Sequence, residues 1–228
     1  MTESFRRYLG EFIGTFGIVF APVALSCANA AGFAHTDLVA AAVVSGIVVT
    51  AMIYALGPIC QAHFNPAVSL GFLVTGKFPS KWLAGYITAQ FFGAFAAASV
   101  AKLIFGVAAG THQPTHITPI AAAVFETIIT FILMFVIYTS AMEKSNSSTV
   151  PALAIGITVI VNVLIAGSVT GGSMNPARSF GPALVAGPEA LQHVWIYFVG
   201  PIVGALVGAF TAKSLMKLDE SPSTVTIH

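Results

Sequence analysis

Charged side chains are scarce in this sequence, and their scarcity excludes a large class of proteins. The chain has 228 residues, of which 57% are hydrophobic and only 7% are charged. Soluble globular domains carry roughly 25% charged residues, so the composition predicts an integral protein of the lipid bilayer. The formal net charge of +1 gives no sign of a nucleic-acid partner.

Cysteine is almost absent as well. The two cysteines, Cys27 and Cys60, lack the spacing of a metal or redox site, and we interpret them as isolated buried thiols. His112 and His116 are four residues apart in a predicted outer loop, but a metal would need more ligands. The apolar segments offer no nucleophile–base pair. The sequence therefore predicts no metal, no cofactor and no enzymatic activity.

Long apolar runs dominate what is present. A helix that crosses the hydrocarbon core needs about 20 mostly apolar residues. The second run, 38–56, is predicted to end at Gly57-Pro58, and Ser80 is predicted to be the N-cap of the third run, 81–105. The six predicted transmembrane helices cover 8–30, 38–56, 81–105, 119–140, 150–166 and 191–215.

The basic residues predict the orientation of the chain. Arg6 and Arg7 precede the first apolar run, as in a signal peptide, but Glu11 inside that run favours a retained helix. Most cations fall on one side of six spans, so the positive-inside rule places both termini in the cytoplasm. Lys102 is the exception, and near a helix end it can reach the headgroups. The cations on the cytoplasmic side are Arg6, Arg7, Lys77, Lys81, Lys144, Lys213 and Lys217.

Two further apolar segments are too short to cross a bilayer. Each begins with the same triplet, Asn65-Pro66-Ala67 in one and Asn175-Pro176-Ala177 in the other. Asn is a preferred N-cap and Pro suits the first helical position, so the triplets predict helix starts. We predict two re-entrant half-helices, 65–75 and 175–185. Such backbone is tolerated at membrane depth only where protein or a wet cavity surrounds it.

The half-helices belong to an internal repeat. Glu11 and Glu126 occupy corresponding places in the first helix of each half. Each half, about 8–106 and 119–215, has three spans with a half-helix after the second. Because three is an odd number of crossings, the two halves have opposite orientations in the membrane. Paired interrupted segments in inverted halves indicate a solute path near the midplane. The fold class is thus an all-α membrane protein in a single domain, 1–228, with a polar tail at 216–228.

The chemistry of this path follows from helix dipoles. The two half-helices are predicted to meet at Asn65 and Asn175, and each N-terminus carries about half a positive charge. Arg178 adds a full charge that should face water. These groups repel cations, while their N–H groups can replace the hydration of a neutral hydroxylated solute.

Three buried titratable residues leave alternatives open. Glu11 and Glu126 are interpreted as acceptors for backbone N–H groups of the re-entrant loops, with a proton relay as the alternative. His63 is interpreted as a packed, hydrogen-bonded loop residue, with pH-dependent gating as the alternative.

The motifs resemble those of the major intrinsic proteins, the aquaporins and glycerol facilitators. The resemblance runs from Glu11 to about Leu215, and four stretches carry it: EFIGT at 11–15, HFNPAV at 63–68, NPARSFGP at 175–182 and GPIVG at 200–204. It implies a right-handed six-helix bundle and a homotetramer with one pore per subunit. It also implies passive flow across a cell membrane.

The family's selectivity filter has four positions, and counting without gaps from the triplets places them at Ser45, Val163, Gly172 and Arg178. Strict water channels have a bulky aromatic at the first and usually His at the second. The small residues here resemble nodulin-type intrinsic proteins, which implies passage of glycerol, urea or metalloid hydroxides such as boric, arsenous or silicic acid. Ser179 and Ala183 instead resemble water channels, because glycerol facilitators usually carry Asp after the Arg.

Three hypotheses follow. The first is a passive wide-filter channel for water and small uncharged solutes, and the second is a mainly water-selective channel. The third is an ion-coupled transporter, in which Glu11 or Glu126 would have to titrate in the path.

Overall fold

The computed structural model describes residues 1–142 and 149–216, and all regular structure within these ranges is helical. Long helices alternate with short ones along the chain. They are α1 Glu3–Ala30, α2 Leu38–Cys60, α3 Pro66–Val74, α4 Ser80–Phe105, α5 Pro119–Met142, α6 Thr149–Ala166, α7 Pro176–Ala186, α8 Pro188–Leu191 and α9 Ile196–Leu215.

Six of these helices correspond to the six predicted spans. Among the described residues, α1, α2, α4, α5 and the stretch Pro188–Leu215 are long and apolar enough to cross a membrane. The apolar helix α6 is shorter, with 18 residues. At 1.5 Å per residue it reaches about 27 Å, close to the roughly 30 Å of a hydrocarbon core. The all-α fold with two half-helices is confirmed.

Two predicted helix ends were wrong. Helix α2 continues through Gly57-Pro58 to Cys60 and ends when Gln61 adopts a left-handed conformation at φ 64. The proline falls in the last turn, where losing one backbone hydrogen bond disturbs few others, and membrane helices tolerate it. Ser80 is not a cap: it is the first residue of α4, whose N-cap is Pro79, with no side-chain cap hydrogen bond.

The first and last spans also begin elsewhere than predicted. Helix α1 starts at Glu3, because Thr2 caps it by accepting the N–H of Phe5. The last span is preceded by the short helix α8 and a turn, so α9 begins at Ile196 rather than 191. Lys144, Lys217 and nearly all of the predicted tail lie outside the described residues.

Close helix contacts hold the bundle together. Helix α1 packs on α4, α5 on α9, and α2 on α6. At Gly93 an added Cβ would lie 2.6 Å from the carbonyl oxygen of Phe12, and at Gly204 it would lie 2.3 Å from that of Thr127. Small residues let two helix backbones approach this closely, and such packing matters because the hydrophobic effect does not drive helix association in lipid.

The half-helices connect the two halves of the chain. Helix α3, from the first half, packs mainly on α9 of the second half, and α7 packs mainly on α4 of the first. Both half-helices are therefore enclosed by protein, as re-entrant backbone requires.

Replacing Gly204 by Ala should destabilise the bundle, because the new methyl group has no room beside Thr127. Overpacking of this kind typically costs about 1–3 kcal/mol, and thermal unfolding of the detergent-solubilised protein measures it. The matched control is Gly57→Ala, where a Cβ meets nothing within 4 Å. An equal loss of thermal stability in both variants would show that the α5–α9 contact is not limiting.

Candidate functional site

The two triplets start the half-helices in the same way. Asn65 and Asn175 are both N-caps in extended conformation, and each is followed by Pro at the first helical position. The Oδ1 atom of Asn65 accepts the N–H of Ala67 at 2.9 Å, and that of Asn175 accepts the N–H of Ala177 at 3.0 Å. The predicted capping geometry is present in both copies.

The half-helix ends are joined through the same two side chains. The Nδ2 atom of Asn65 donates to the carbonyl oxygen of Met174 at 2.8 Å, and that of Asn175 donates to the carbonyl oxygen of Phe64 at 2.9 Å. An amide nitrogen carries two hydrogens, so each Asn keeps a second N–H beyond this bond. Both residues line the central cavity, where a solute oxygen can accept those hydrogens.

Two fully buried carboxylates hold the loops that precede the half-helices. Glu11 accepts the backbone N–H groups of His63 at 2.9 Å and Phe64 at 2.7 Å. Glu126 accepts those of Ser173 at 3.0 Å and Met174 at 2.9 Å. Each carboxylate has a side-chain donor as well: Gln90 for Glu11 and Thr170 for Glu126. With these bonds, four loop N–H groups that would otherwise be orphaned in the bundle are paired.

One cavity of about 610 Å³ runs past the triplets and contains all four predicted filter positions in its wall. Gly172, at φ +63, lies against Val163: an added Cβ would be 3.2 Å from the Cα atom of Val163. The hydroxyl of Ser45 donates to the carbonyl of Ala41 at 2.8 Å. The three predicted filter positions other than Arg178 therefore line the same cavity without an aromatic ring.

Arg178 is held by the loop that links the two halves. Its backbone N–H donates to Oδ1 of Asn175 at 3.2 Å, and its Nη1 donates to the carbonyl oxygen of Gly110 at 3.0 Å. The one ion pair among the described residues joins Arg7 and Glu3. The guanidinium thus has no carboxylate partner in the described chain, and it faces the cavity with N–H groups to spare.

Sequence reasoning missed the role of His112. This residue is buried in the wall of the cavity, and its Nδ1 lies 2.7 Å from Oγ of Ser179. Burial and the neighbouring Arg178 hold its pKa well below the usual range, so the ring is neutral and has one donor and one acceptor nitrogen. The sequence held one weak signal for this contact, because Ser69 and Ser179 correspond under the internal repeat: each is the fourth residue after the Asn of its triplet.

The two halves place a histidine against the corresponding serine in different ways. In the first half, His63 places Nδ1 3.0 Å from Oγ of Ser69, and its ring is 5.3 Å from that of Tyr86. In the second half, His112 meets Ser179, and its ring is 5.4 Å from that of Tyr197. The small Ser173 stands at the position of His63, and His112 fills the space from the linking loop.

His63 itself is packed on three sides. Its ring lies 5.1 Å from that of Phe72 and 4.7 Å from that of Phe78, in addition to the contact with Tyr86. The residue still borders the cavity. These contacts restrict the ring to one place in the wall.

Comparison with known proteins gives consistent results. The family model described as "Major intrinsic protein" matches residues 1–212. The chain is 41% identical to "Aquaporin NIP1-1" of Zea mays over 96% of its own length and 80% of the relative's. It is 37% identical to "Nodulin-26" of Glycine max over 97% and 82% of the two chains.

A solved structure shares the fold. The aquaglyceroporin from Plasmodium falciparum superposes with a TM-score of 0.86 at 24% identity, covering 93% of this chain and 97% of that chain. All of the described helices except α8 have counterparts in the predicted six-span, two-half-helix plan.

Replacing Glu126 by Gln should destabilise the protein rather than alter a proton pathway. The amide has one acceptor oxygen instead of two, so the N–H of Ser173 or Met174 loses its partner. A buried unpaired donor costs about 1–3 kcal/mol, which a lowered unfolding temperature in detergent reports. Glu3→Gln, at an exposed ion pair, is the control. Full thermal stability combined with a lost pH response of solute flux would instead favour the proton relay.

Proposed function

The chain belongs to the major intrinsic protein family, and we propose that it is a passive channel for water and small uncharged solutes that excludes protons and other ions. It is a multi-pass membrane protein of a channel family, and its relatives are not enzymes. The finer proposal names the solutes: glycerol, urea and metalloid hydroxides such as boric, arsenous or silicic acid.

One observation carries the solute range. Ser45, Val163 and Gly172 line the same cavity as Arg178, and none of them is aromatic. A filter closed by an aromatic ring and an imidazole would admit water alone, whereas these side chains leave space for a solute with several heavy atoms. Pore width and donor placement set selectivity in such channels.

The hydrogen-bonding groups suit hydroxylated neutral molecules. Arg178 offers N–H donors at the filter, and Asn65 and Asn175 offer one each at the centre. His112 adds a neutral imidazole beside Arg178. A solute hydroxyl can accept hydrogen bonds from the guanidinium and the two amides, and it can donate one to a carbonyl oxygen or an imidazole nitrogen. It therefore exchanges its hydration for these bonds at little cost.

Ion exclusion follows from charge. The N-termini of two half-helices meet at the middle of the membrane, and their dipoles together present about one positive charge there. Arg178 adds another charge close by. A cation gains too little from these donors to replace its hydration shell, and hydronium is repelled in the same way.

The second candidate function is a mainly water-selective channel. The observation that favours it is His112, whose ring enters the wall from the linking loop next to Arg178. It adds a ring to the wall of the cavity that the small filter residues also line. Ser179, where glycerol facilitators usually carry Asp, is engaged by this ring rather than facing a solute.

Further expectations concern the setting of the channel. We propose that both termini are cytoplasmic, that the membrane is the cell membrane, and that four copies assemble with one pore each. Large apolar side chains on the outer faces, such as Ile47, Phe92 and Ile157, are exposed in the single chain. They support a lipid or subunit environment around the bundle.

Stopped-flow light scattering on proteoliposomes tests the proposed solutes. Shrinkage in an impermeant osmolyte measures water flux, and re-swelling in glycerol, urea and boric acid measures solute flux. Rapid re-swelling above that of empty liposomes supports the wide filter and ranks the solutes. Fast water flux without re-swelling favours the water-selective candidate.

The double substitution Ser45→Phe and Val163→His should narrow the pore. We expect glycerol flux to fall at least about tenfold relative to water flux, since each added ring occupies space that the polyol needs. Val161→Ile, at an exposed position on the same helix as Val163, is the matched control. An unchanged ratio would mean that the four filter positions are wrongly assigned.

Replacing Arg178 by Val should raise proton leak. Removing one charge near the path lowers the barrier to cations by about 1–2 kcal/mol at an effective dielectric constant near 20, or roughly a tenfold faster leak. A pH-sensitive dye inside the proteoliposomes measures it. Arg178→Lys keeps the charge and serves as the control; a leak that rises equally in both variants would contradict the electrostatic role.

A further inference from the structure

The C-terminal ends of the half-helices have unusual partners. The last carbonyl groups of any helix lack partners within it. At the end of α3, the carbonyl oxygen of Thr75 accepts a hydrogen bond from Nζ of Lys213 at 3.1 Å. At the end of α7, the carbonyl oxygen of Val185 accepts one from Nζ of Lys102 at 3.2 Å.

The two contacts correspond under the internal repeat. Thr75 and Val185 are each the tenth residue after the Asn of their triplet, at positions 65 and 175. Lys102 and Lys213 each lie in the last turn of the third span of their half, and each is the basic residue there. A chance surface contact would not recur at both equivalent places.

The contacts are crossed between the halves. Lys102 belongs to the first half and binds the half-helix of the second, whereas Lys213 belongs to the second half and binds that of the first. They follow the packing of α4 on α7 and of α9 on α3. They also give Lys102 a reason to lie on the face away from most cations, where its ammonium group meets a helix C-terminus.

We propose that Lys102 and Lys213 are positioning residues: each caps the half-helix of the opposite half, fixes its outer end and strengthens the positive potential at the pore centre. A half-helix has a positive end at its Asn and a negative end at its last carbonyls. An ammonium at the negative end offsets it, so the field at the positive end is opposed less.

Exposure of the two lysines to solvent limits how much they can change the potential at the pore centre. Helix α3 has nine residues, so its ends are separated by about 14 Å. Both lysines are exposed to solvent, which screens them within about 8 Å at physiological salt. The caps therefore act mainly on the position of the half-helices, and their effect on ions is modest and largest at low ionic strength.

Hydrogen–deuterium exchange in nanodiscs tests the crossed assignment. Lys102→Met should speed amide exchange in 180–187 about two- to fivefold, the factor for losing one charge at an exposed helix terminus, and leave 70–77 unchanged. Lys213→Met should do the reverse. Lys81→Met, which removes an exposed ammonium that lies over Trp82, is the matched control. Lys→Arg at either site should restore the wild-type exchange.

Three results would overturn the proposal: unchanged exchange in both Met variants, faster exchange in the half-helix of the lysine's own half, or the same change in Lys81→Met. Single variants keep the test valid if the double variant does not fold.

Proton leak provides the second readout, and this part rests on the proposed channel function. At low salt, the Lys102→Met, Lys213→Met double variant should leak about two- to threefold faster relative to its water flux, and the difference should shrink in high salt. An unchanged leak contradicts the electrostatic half of the proposal. If the wild-type protein shows no solute flux, the proposed solute range is refuted. The hydrogen–deuterium exchange pattern still tests separately whether Lys102 and Lys213 cap the half-helices.

Discussion

Unpaired backbone groups in a membrane are the constraint on which the structure depends. A re-entrant loop places N–H groups where neither lipid nor a regular helix can satisfy them. Glu11 and Glu126 meet this need with two carboxylate oxygens each, and both side chains are fully buried. The Asn residues then join the two halves, because each donates to a backbone carbonyl of the opposite loop. The half-helices, and the part of the cavity wall that they form, take their positions from these few bonds.

The same bonds explain why polar residues can sit at the centre of an apolar bundle. Every buried carboxylate oxygen and Asn oxygen named above accepts from the backbone, so desolvation is offset locally. The remaining N–H groups of Asn65, Asn175 and Arg178 face the cavity, where water or a solute meets them. Helix contacts built on Gly93, Gly204 and Gly46 keep the surrounding wall close-packed.

Much of the fold could be predicted from the sequence because its signals are local. Apolar length predicts spans, and Asn followed by Pro ahead of an apolar segment predicts a helix start. Helix ends were harder: a proline such as Pro58 is tolerated in the last turn of a membrane helix, and Ser80 is the first residue of α4 without capping it. His112 was missed because its partner, Ser179, is far away in sequence. The contacts of Lys102 and Lys213 were out of reach for the same reason.

The crossed packing of the half-helices has a consequence for biogenesis. Helix α3 rests on α9, which is the last described helix of the chain. The first half-helix thus reaches its final neighbours only after nearly the whole protein has been synthesised. Until then its polar loop must be sheltered by Glu11 and the early spans, or by the insertion machinery. Assembly of the pore is a late event, in which contacts distant along the chain form together.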